Sequence, residues 1–129
     1  MIINLTQHAA TAEQLAAGVV DLDASQKAYV SNLLTFVGLP TMAEVQDRAA
    51  TLAAFCCIFA DAEAEEGEEV CAMIGGAPFL MAALESELKS SDIKPCYAFS
   101  ERVSEEQAQE DGSVRKVNVF KHVGFVWAE

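Results

Sequence analysis

The sequence predicts a single α/β domain of three layers spanning 1–129, its short parallel sheet extended at the C-terminal end by an antiparallel hairpin. Three observations carry that prediction. Short apolar runs at Met1–Thr6, Val70–Ile74 and Cys96–Phe99 alternate with amphipathic helical segments, the pattern of βαβ units. The segment Pro78 to Lys89 has the length of a crossover helix, which sets the strands on either side of it parallel. From Val114 to Trp127 the pattern changes to alternation behind an Asp111-Gly112 turn, which reads as a hairpin.

Each element has a local reason. Met1 to Thr6 is short and apolar, as a buried central strand is. Thr11 caps a helix over 12–17 that Gly18 ends, because its hydroxyl can accept an N–H of the first turn. A second helix starts at Asp23 or Ser25 and runs through Phe36, with Tyr29, Val30, Leu33, Leu34 and Val37 at helical spacing, until Gly38-Leu39-Pro40 breaks it. Thr41 and Glu44 form a capping box for a third helix, whose apolar stripe includes Val45, Ala49, Leu52, Cys56 and Phe59. That helix is expected to stop between Asp61 and Glu66, where acidic side chains oppose its dipole. Pro78 opens the next helix at the one turn where its missing N–H costs nothing.

The tail is read as a hairpin of 101–107 with 113–121, followed by a separate strand over 122–127. Val117, Val119, Val123, Phe125 and Trp127 are assigned to one buried face, Lys116, Asn118, Phe120 and His122 to the other, and Gly124 to a bulge.

Composition narrows the function classes. Hydrophobic residues make up 52% of the chain, enough for a packed core. The apolar runs are too short for a membrane span, and the N-terminus lacks the basic and apolar regions of a signal peptide, so a cytoplasmic protein is expected. The four cysteines, at 56, 57, 71 and 96, lack metal-ligand spacing and read as reduced, buried thiols. Neither a metal nor a cofactor is expected. The net charge is −12, with four basic and fourteen acidic residues in 1–99 and four basic and six acidic in 100–129. No dense basic face exists to displace counterions, which argues against long nucleic acid. A small anionic ligand needs only a few donors and stays open.

The candidate site starts from Gly75-Gly76-Ala77-Pro78, where a strand hands over to a helix. Glycines let backbone approach a ligand, and the first free helical N–H groups point toward it. Alternatively, the glycines only let the helix pack closely on the sheet. Neither GxxxxGK[ST] nor GxGxxG is present. Ligands of open α/β sheets bind beyond the carboxyl ends of the strands. That rule is expected to gather Thr6-Gln7-His8, Gly75-Gly76-Ala77 and Ser100-Glu101-Arg102, with Lys116 and His122 contributed by the hairpin. Of these, Thr6, Gln7, His8, Gly75, Gly76, Ala77, Ser100, Arg102, Lys116 and His122 are the candidate ligand-binding residues. The set suits phosphate or carboxylate, with arginine able to bind bidentately. No catalytic residue is assigned; acid–base or electrostatic help falls to His8, Ser100, Arg102, Lys116 or His122.

The opening Ile3-Asn4-Leu5-Thr6-Gln7-His8, followed by Thr11-Ala12-Glu13-Gln14, resembles that of small stand-alone CRISPR-associated proteins with a Rossmann-like, CARF-related fold. The Gly75-to-Pro78 turn looks like their second ligand loop. The match covers about twenty residues in two pieces. The resemblance implies binding of cyclic oligoadenylates, often by dimers, with metal-free cleavage in some members, and ligand contacts from Thr6, His8 and Gly75 to Ala77. The C-terminal hairpin with Arg115, Lys116 and His122 departs from that pattern.

Two functions are therefore expected in competition. One is binding, with or without cleavage, of a small phosphorylated ligand such as a nucleotide or cyclic oligonucleotide. The other is a non-enzymatic acidic protein that engages a basic partner or mimics nucleic acid. A homodimer is expected because the alternating C-terminal strand can pair across a two-fold axis.

Overall fold

The computed structural model describes all residues from 1 to 129. In chain order the elements are β1 (Ile2–Leu5), α1 (Ala12–Ala16), β2 (Val19–Val20), α2 (Ala24–Leu34), α3 (Met42–Glu63), β3 (Cys71–Ile74), α4 (Pro78–Ser90), β4 (Lys94–Ala108) and β5 (Val114–Trp127). They form one five-stranded sheet in the order β2-β1-β3-β4-β5. The first four strands are mutually parallel, and β5 runs antiparallel to β4.

Alternation along the strands divides the core between the two sheet faces. Ile3, Leu5, Ala72 and Ile74 point to one face, where Val30 and Leu34 of α2, Leu52 and Cys56 of α3, and Leu80, Leu84 and Leu88 of α4 cover them. Ile2, Val19, Cys71, Met73 and Cys96 point to the other, against Ala10 and Phe125. That second layer is thin. Its only helix, α1, reaches His122 of β5 through Gln14, whose Nε2 lies 3.4 Å from the ring Nδ1. Crossovers of one hand explain the arrangement: moving from β1 to β2 and moving from β2 back toward β3 and β4 require opposite faces.

Helix starts follow their caps. Thr11 and Asp23 each accept an N–H three residues on, from Gln14 and Gln26, whose side chains return the bond to the cap N–H. At Thr41 only half of the expected box forms: the hydroxyl accepts from Glu44 N–H, but the Glu44 carboxylate pairs instead with Arg48, 3.0 Å away. The acidic run ends α3 at Glu63, within the expected range. No helix is long and apolar enough to cross a membrane.

Three departures from the sequence reading matter. Val19–Val20 is a two-residue edge strand, too short for a periodic signal. The third apolar run does not stop at Phe99 but continues to Ala108, because β5 supplies partners along its whole length. Residues 122–127 likewise continue β5 and form no separate strand. The two long strands therefore outrun the rest of the sheet. Only Lys94, Pro95 and Cys96 of β4 pair with β3, and beyond them β4 and β5 stand as a two-stranded arm. At roughly 3.3 Å per residue, the ten steps from Ala98 to Ala108 reach about 33 Å.

A bulge also breaks the expected alternation. Phe99 pairs with Gly124 and Ser100 with His122, leaving Val123 as the extra residue beside Gly124. The side chains therefore change faces there. Val117 and Val119 lie on the α3–α4 side of the arm, whereas Phe125 and Trp127 lie on the opposite side with Cys96. Val123 is 56% and Trp127 44% exposed, so the proposed continuous buried face does not form.

All four cysteines are free, with Cys56, Cys71 and Cys96 buried. Burial pushes the Cys56 and Cys96 thiols up to about 12 from an ordinary value of 9.0. The unfolded chain releases these protons first, so stability is complete below about pH 9 and falls as pH rises from there toward 12. Chemical denaturation at pH 8 and pH 10.5 is expected to show the lower midpoint at pH 10.5. Leu84→Ala, at a fully buried position, should cost about 2–5 kcal/mol. Ile58→Ala, on the exposed side of α3, should cost about 0.5 kcal/mol or less in the same urea titrations.

Candidate functional site

The strand order reverses at β1: α1 leads outward to β2 on one face, and α2–α3 lead back to β3 on the other. The loops leaving the carboxyl ends of β1 and β3 therefore part, and a crevice opens between them. A cavity of about 580 Å³ occupies it, lined by Thr6, Gln7 and His8 after β1 and by Gly75, Gly76 and Ala77 after β3. Thr11 and Gln14 of the α1 start, Leu34, Met73, Tyr97 and Ala98 complete the wall.

The β1 turn is held by a buried amide. Asn4, only 3% exposed, points from β1 toward the thinly covered face. Its Oδ1 accepts from Thr6 N–H at 3.0 Å and from Thr6 Oγ1 at 2.7 Å. Its Nδ2 donates to the His8 carbonyl and to Asp21 Oδ1, each at 2.8 Å. The Asp21 carboxylate also accepts Ala10 N–H. The amide thus satisfies itself and folds residues 4–10 into one shape. Gln7 adds a second tether, donating from Nε2 to Thr35 Oγ1 at 3.0 Å. The His8 side chain is left exposed at the rim.

The β3 turn supplies donors. Ala77 caps α4 without a side-chain bond, and Pro78 has no N–H. The N–H groups of Gly76, Ala77 and Phe79 find no acceptor within the chain. Gly76 sits at φ +152°, where an added Cβ would also come within 3.5 Å of Met81 Cε. Glycine is needed there mainly for its backbone freedom. Across the crevice, Gly75 approaches Thr6 so closely that a Cβ would lie 3.6 Å from Thr6 Cγ2.

The third expected loop is not part of this cavity. Because β4 continues past Phe99, Ser100 and Arg102 are carried outward on the arm. Arg102 lies cross-strand from Phe120, its guanidinium carbon 5.5 Å from the ring centroid. Lys116 pairs with Glu106 in the ladder, about 26 Å beyond Ala98. His122 stays close, half-buried against Phe125 and Gln14. Gln14 Oε1 accepts from Thr11 N–H, so its Nε2 faces the imidazole as donor and Nδ1 accepts. The cavity wall therefore contains no lysine or arginine of its own chain.

Three contributors escaped sequence reasoning. Asn4 sat unnoticed inside an apolar run, although a lone amide there signals a buried hydrogen-bond hub. Gln14 is marked in the sequence only as part of the helix start Thr11-Ala12-Glu13-Gln14. Tyr97 lines the cavity with its ring while its hydroxyl donates to Glu85 Oε2 at 2.6 Å; burial, then that bond, pushes its pKa up and keeps the phenol protonated.

A second cavity, of about 500 Å³, lies at the opposite end of β4, among Glu69, Lys94, Trp127 and the C-terminus. Its main charges neutralise one another, with Lys94 Nζ 3.1 Å from Glu69 Oε1. That pairing holds Glu69 below the ordinary carboxylate range. It offers few free donors. No cluster of three or more His, Cys, Asp or Glu side chains gathers anywhere to hold a metal ion.

Asn4→Ala should lower stability by about 2–3 kcal/mol in urea titrations, because it strands Thr6, His8 and Asp21 groups that the amide now satisfies. Gly76→Ala should cost about 1–3 kcal/mol, mostly from backbone strain. Gly38→Ala, in open space at an ordinary φ, should not destabilise the chain and serves as its control.

No curated protein and no solved structure matches the chain. A family profile does, over residues 1–126, and by that match the chain belongs to the Uncharacterized protein MJ1673 family.

Proposed function

We propose that the chain binds a small phosphorylated ligand, a nucleotide or cyclic oligonucleotide, in the crevice between the β1 and β3 loops. The observation that carries this reading is the pair of unpartnered N–H groups at Gly76 and Ala77, which border the same cavity as the tethered Thr6–His8 turn, with that of Phe79 following in the first turn of α4. Such donors suit phosphate oxygens, and the α4 dipole adds roughly 0.3–1 kcal/mol for an anion at its start. His8 supplies an imidazole at the rim for the rest of a nucleotide, beside the internally bonded Thr6 and Gln14. The apolar wall of Leu34, Met73 and the Tyr97 ring suits a base. The resemblance of these two loops to those of CARF-related proteins supports placing cyclic oligoadenylates first among candidates. If the ligand is also cleaved, His8 at the rim is the group placed to move a proton.

A second reading keeps a specific observation in its favour. The residues of 1–99 carry ten more acidic than basic groups, fourteen against four, and the run from Asp61 to Glu69 is largely exposed. That surface suits a basic protein partner. The two readings separate in one thermal-shift screen with nucleotides and cyclic oligoadenylates. A ligand at a hundred times its Kd should add about 2.7 kcal/mol of stability, and His8→Ala with Gly76→Val should abolish the shift. A flat screen with folded wild-type protein would reject the ligand and favour the acidic interaction protein.

A further inference from the structure

The Thr6–His8 turn borders two cavities, and the crevice is only the larger. A second, of about 250 Å³, opens between the turn and α2, lined by Thr6, Gln7 and His8 and by Lys27, Ala28 and Ser31. All three turn residues line the larger cavity as well. Self-contained small-molecule sites usually measure roughly 300–1,000 Å³. The smaller cavity therefore suits one group of a ligand whose remainder lies in the crevice.

Its α2 wall is a polar ridge. Lys27, Ser31 and Thr35 follow one another at four-residue spacing, which sets them along one face of the helix and its end. Thr35 is already spent: its Oγ1 accepts from Gln7 Nε2 and donates to the Ser31 carbonyl. Gln7 thereby fixes the turn against the ridge and leaves the other two members open. The side chain of Ser31 makes no hydrogen bond within the chain, only its backbone does.

Lys27 is the more telling member. Residues 1–99 hold four basic side chains among fourteen acidic ones. Arg48, Lys89 and Lys94 are each ion-paired with a glutamate, and Lys27 is not. The acids nearest to it in sequence are committed elsewhere. Asp23 caps α2 through Gln26 N–H, and Asp21 holds Asn4 and Ala10. An ammonium left unpaired on so acidic a chain, beside a cavity and a free hydroxyl, is available to an anion.

We propose that the smaller cavity is a second phosphate subsite, in which Lys27 and Ser31 bind one phosphate while the Gly76 and Ala77 amides bind another. The inference rests on the phosphorylated-ligand reading above and narrows it to an oligonucleotide. A backbone segment, about 4.8 Å across by the spacing of neighbouring strands, separates the two positions. Phosphates that share a bridging oxygen are too close to straddle it, whereas those on successive nucleotides are far enough apart. His8 borders both cavities and so lies beside the link between the two phosphates.

Calorimetry on the full chain at physiological salt, with AMP, ATP and cyclic tetraadenylate, provides the test. Wild type should bind the cyclic tetramer at least about tenfold more tightly than AMP, because two linked subsites act together. Lys27→Gln should remove about tenfold of the tetramer affinity and leave AMP binding within about twofold of wild type, while Lys27→Arg keeps most of both. Lys27 is exposed, so an unchanged melting temperature is expected and shows that the variants fold. Arg115→Gln removes the same charge about 30 Å out on the arm, opposite Gln107. At a screening length of roughly 8 Å it should change neither affinity. Equal losses for AMP and the tetramer in Lys27→Gln, or none for either, overturn the second subsite and leave the ligand reading standing. An ATP affinity that matches the tetramer's and falls with it in Lys27→Gln assigns the subsite to a nucleotide's own polyphosphate and overturns the oligonucleotide. If folded wild type binds none of the three, the ligand reading fails and this inference falls with it.

Discussion

The reversal of strand order at β1 is the constraint on which this molecule depends. With crossovers of a single hand, the chain must leave β1 toward β2 over one face and return toward β3 over the other. Two consequences follow from that alone. Three helices, α2 to α4, share one face and build the larger core, while the opposite face is left to α1 and to side chains of β5. The loops after β1 and β3 diverge, so a crevice exists at the carboxyl edge whatever its side chains.

The side chains then decide what the crevice can hold. On one bank Asn4 spends all its hydrogen-bonding capacity on backbone and side-chain groups of residues 4–21, so the turn is preorganised before any ligand arrives. On the other bank the α4 start is left short of acceptors, with alanine at the cap position, where its side chain can accept no hydrogen bond. One bank is rigid and the other carries unspent donors. Rigid placement keeps the ordering cost of binding low, and unspent donors give an anion something to gain.

Much of the frame was legible in the sequence because it rests on local chemistry. The caps at Thr11, Asp23 and Thr41, the stop at Glu63, and Pro78 after the glycine pair all follow from backbone groups that must be satisfied. The convergence of Thr6–His8 with Gly75–Ala77 followed from a topological rule that needs only the strand pattern. What was not legible depends on distant partners. Val19–Val20 is a strand only because β1 lies beside it. The end of β4 cannot be read from Phe99 onward, since polar residues such as Ser100, Glu101 and Arg102 extend happily when a second strand pairs with them. Missing that continuation is what misplaced Arg102 and Lys116, and the bulge at Val123 is what reversed the inner and outer faces of the tail.

We propose that the crevice at the β1–β3 divergence is an anion site. Amide chemical shifts of the ¹⁵N-labelled protein, followed during titration with cyclic tetraadenylate, test it most directly. The largest changes are expected at Gly76, Ala77 and Phe79, accompanied by Thr6 to His8. Changes confined to the region of Glu69 and Lys94, or none at saturating ligand, would contradict it.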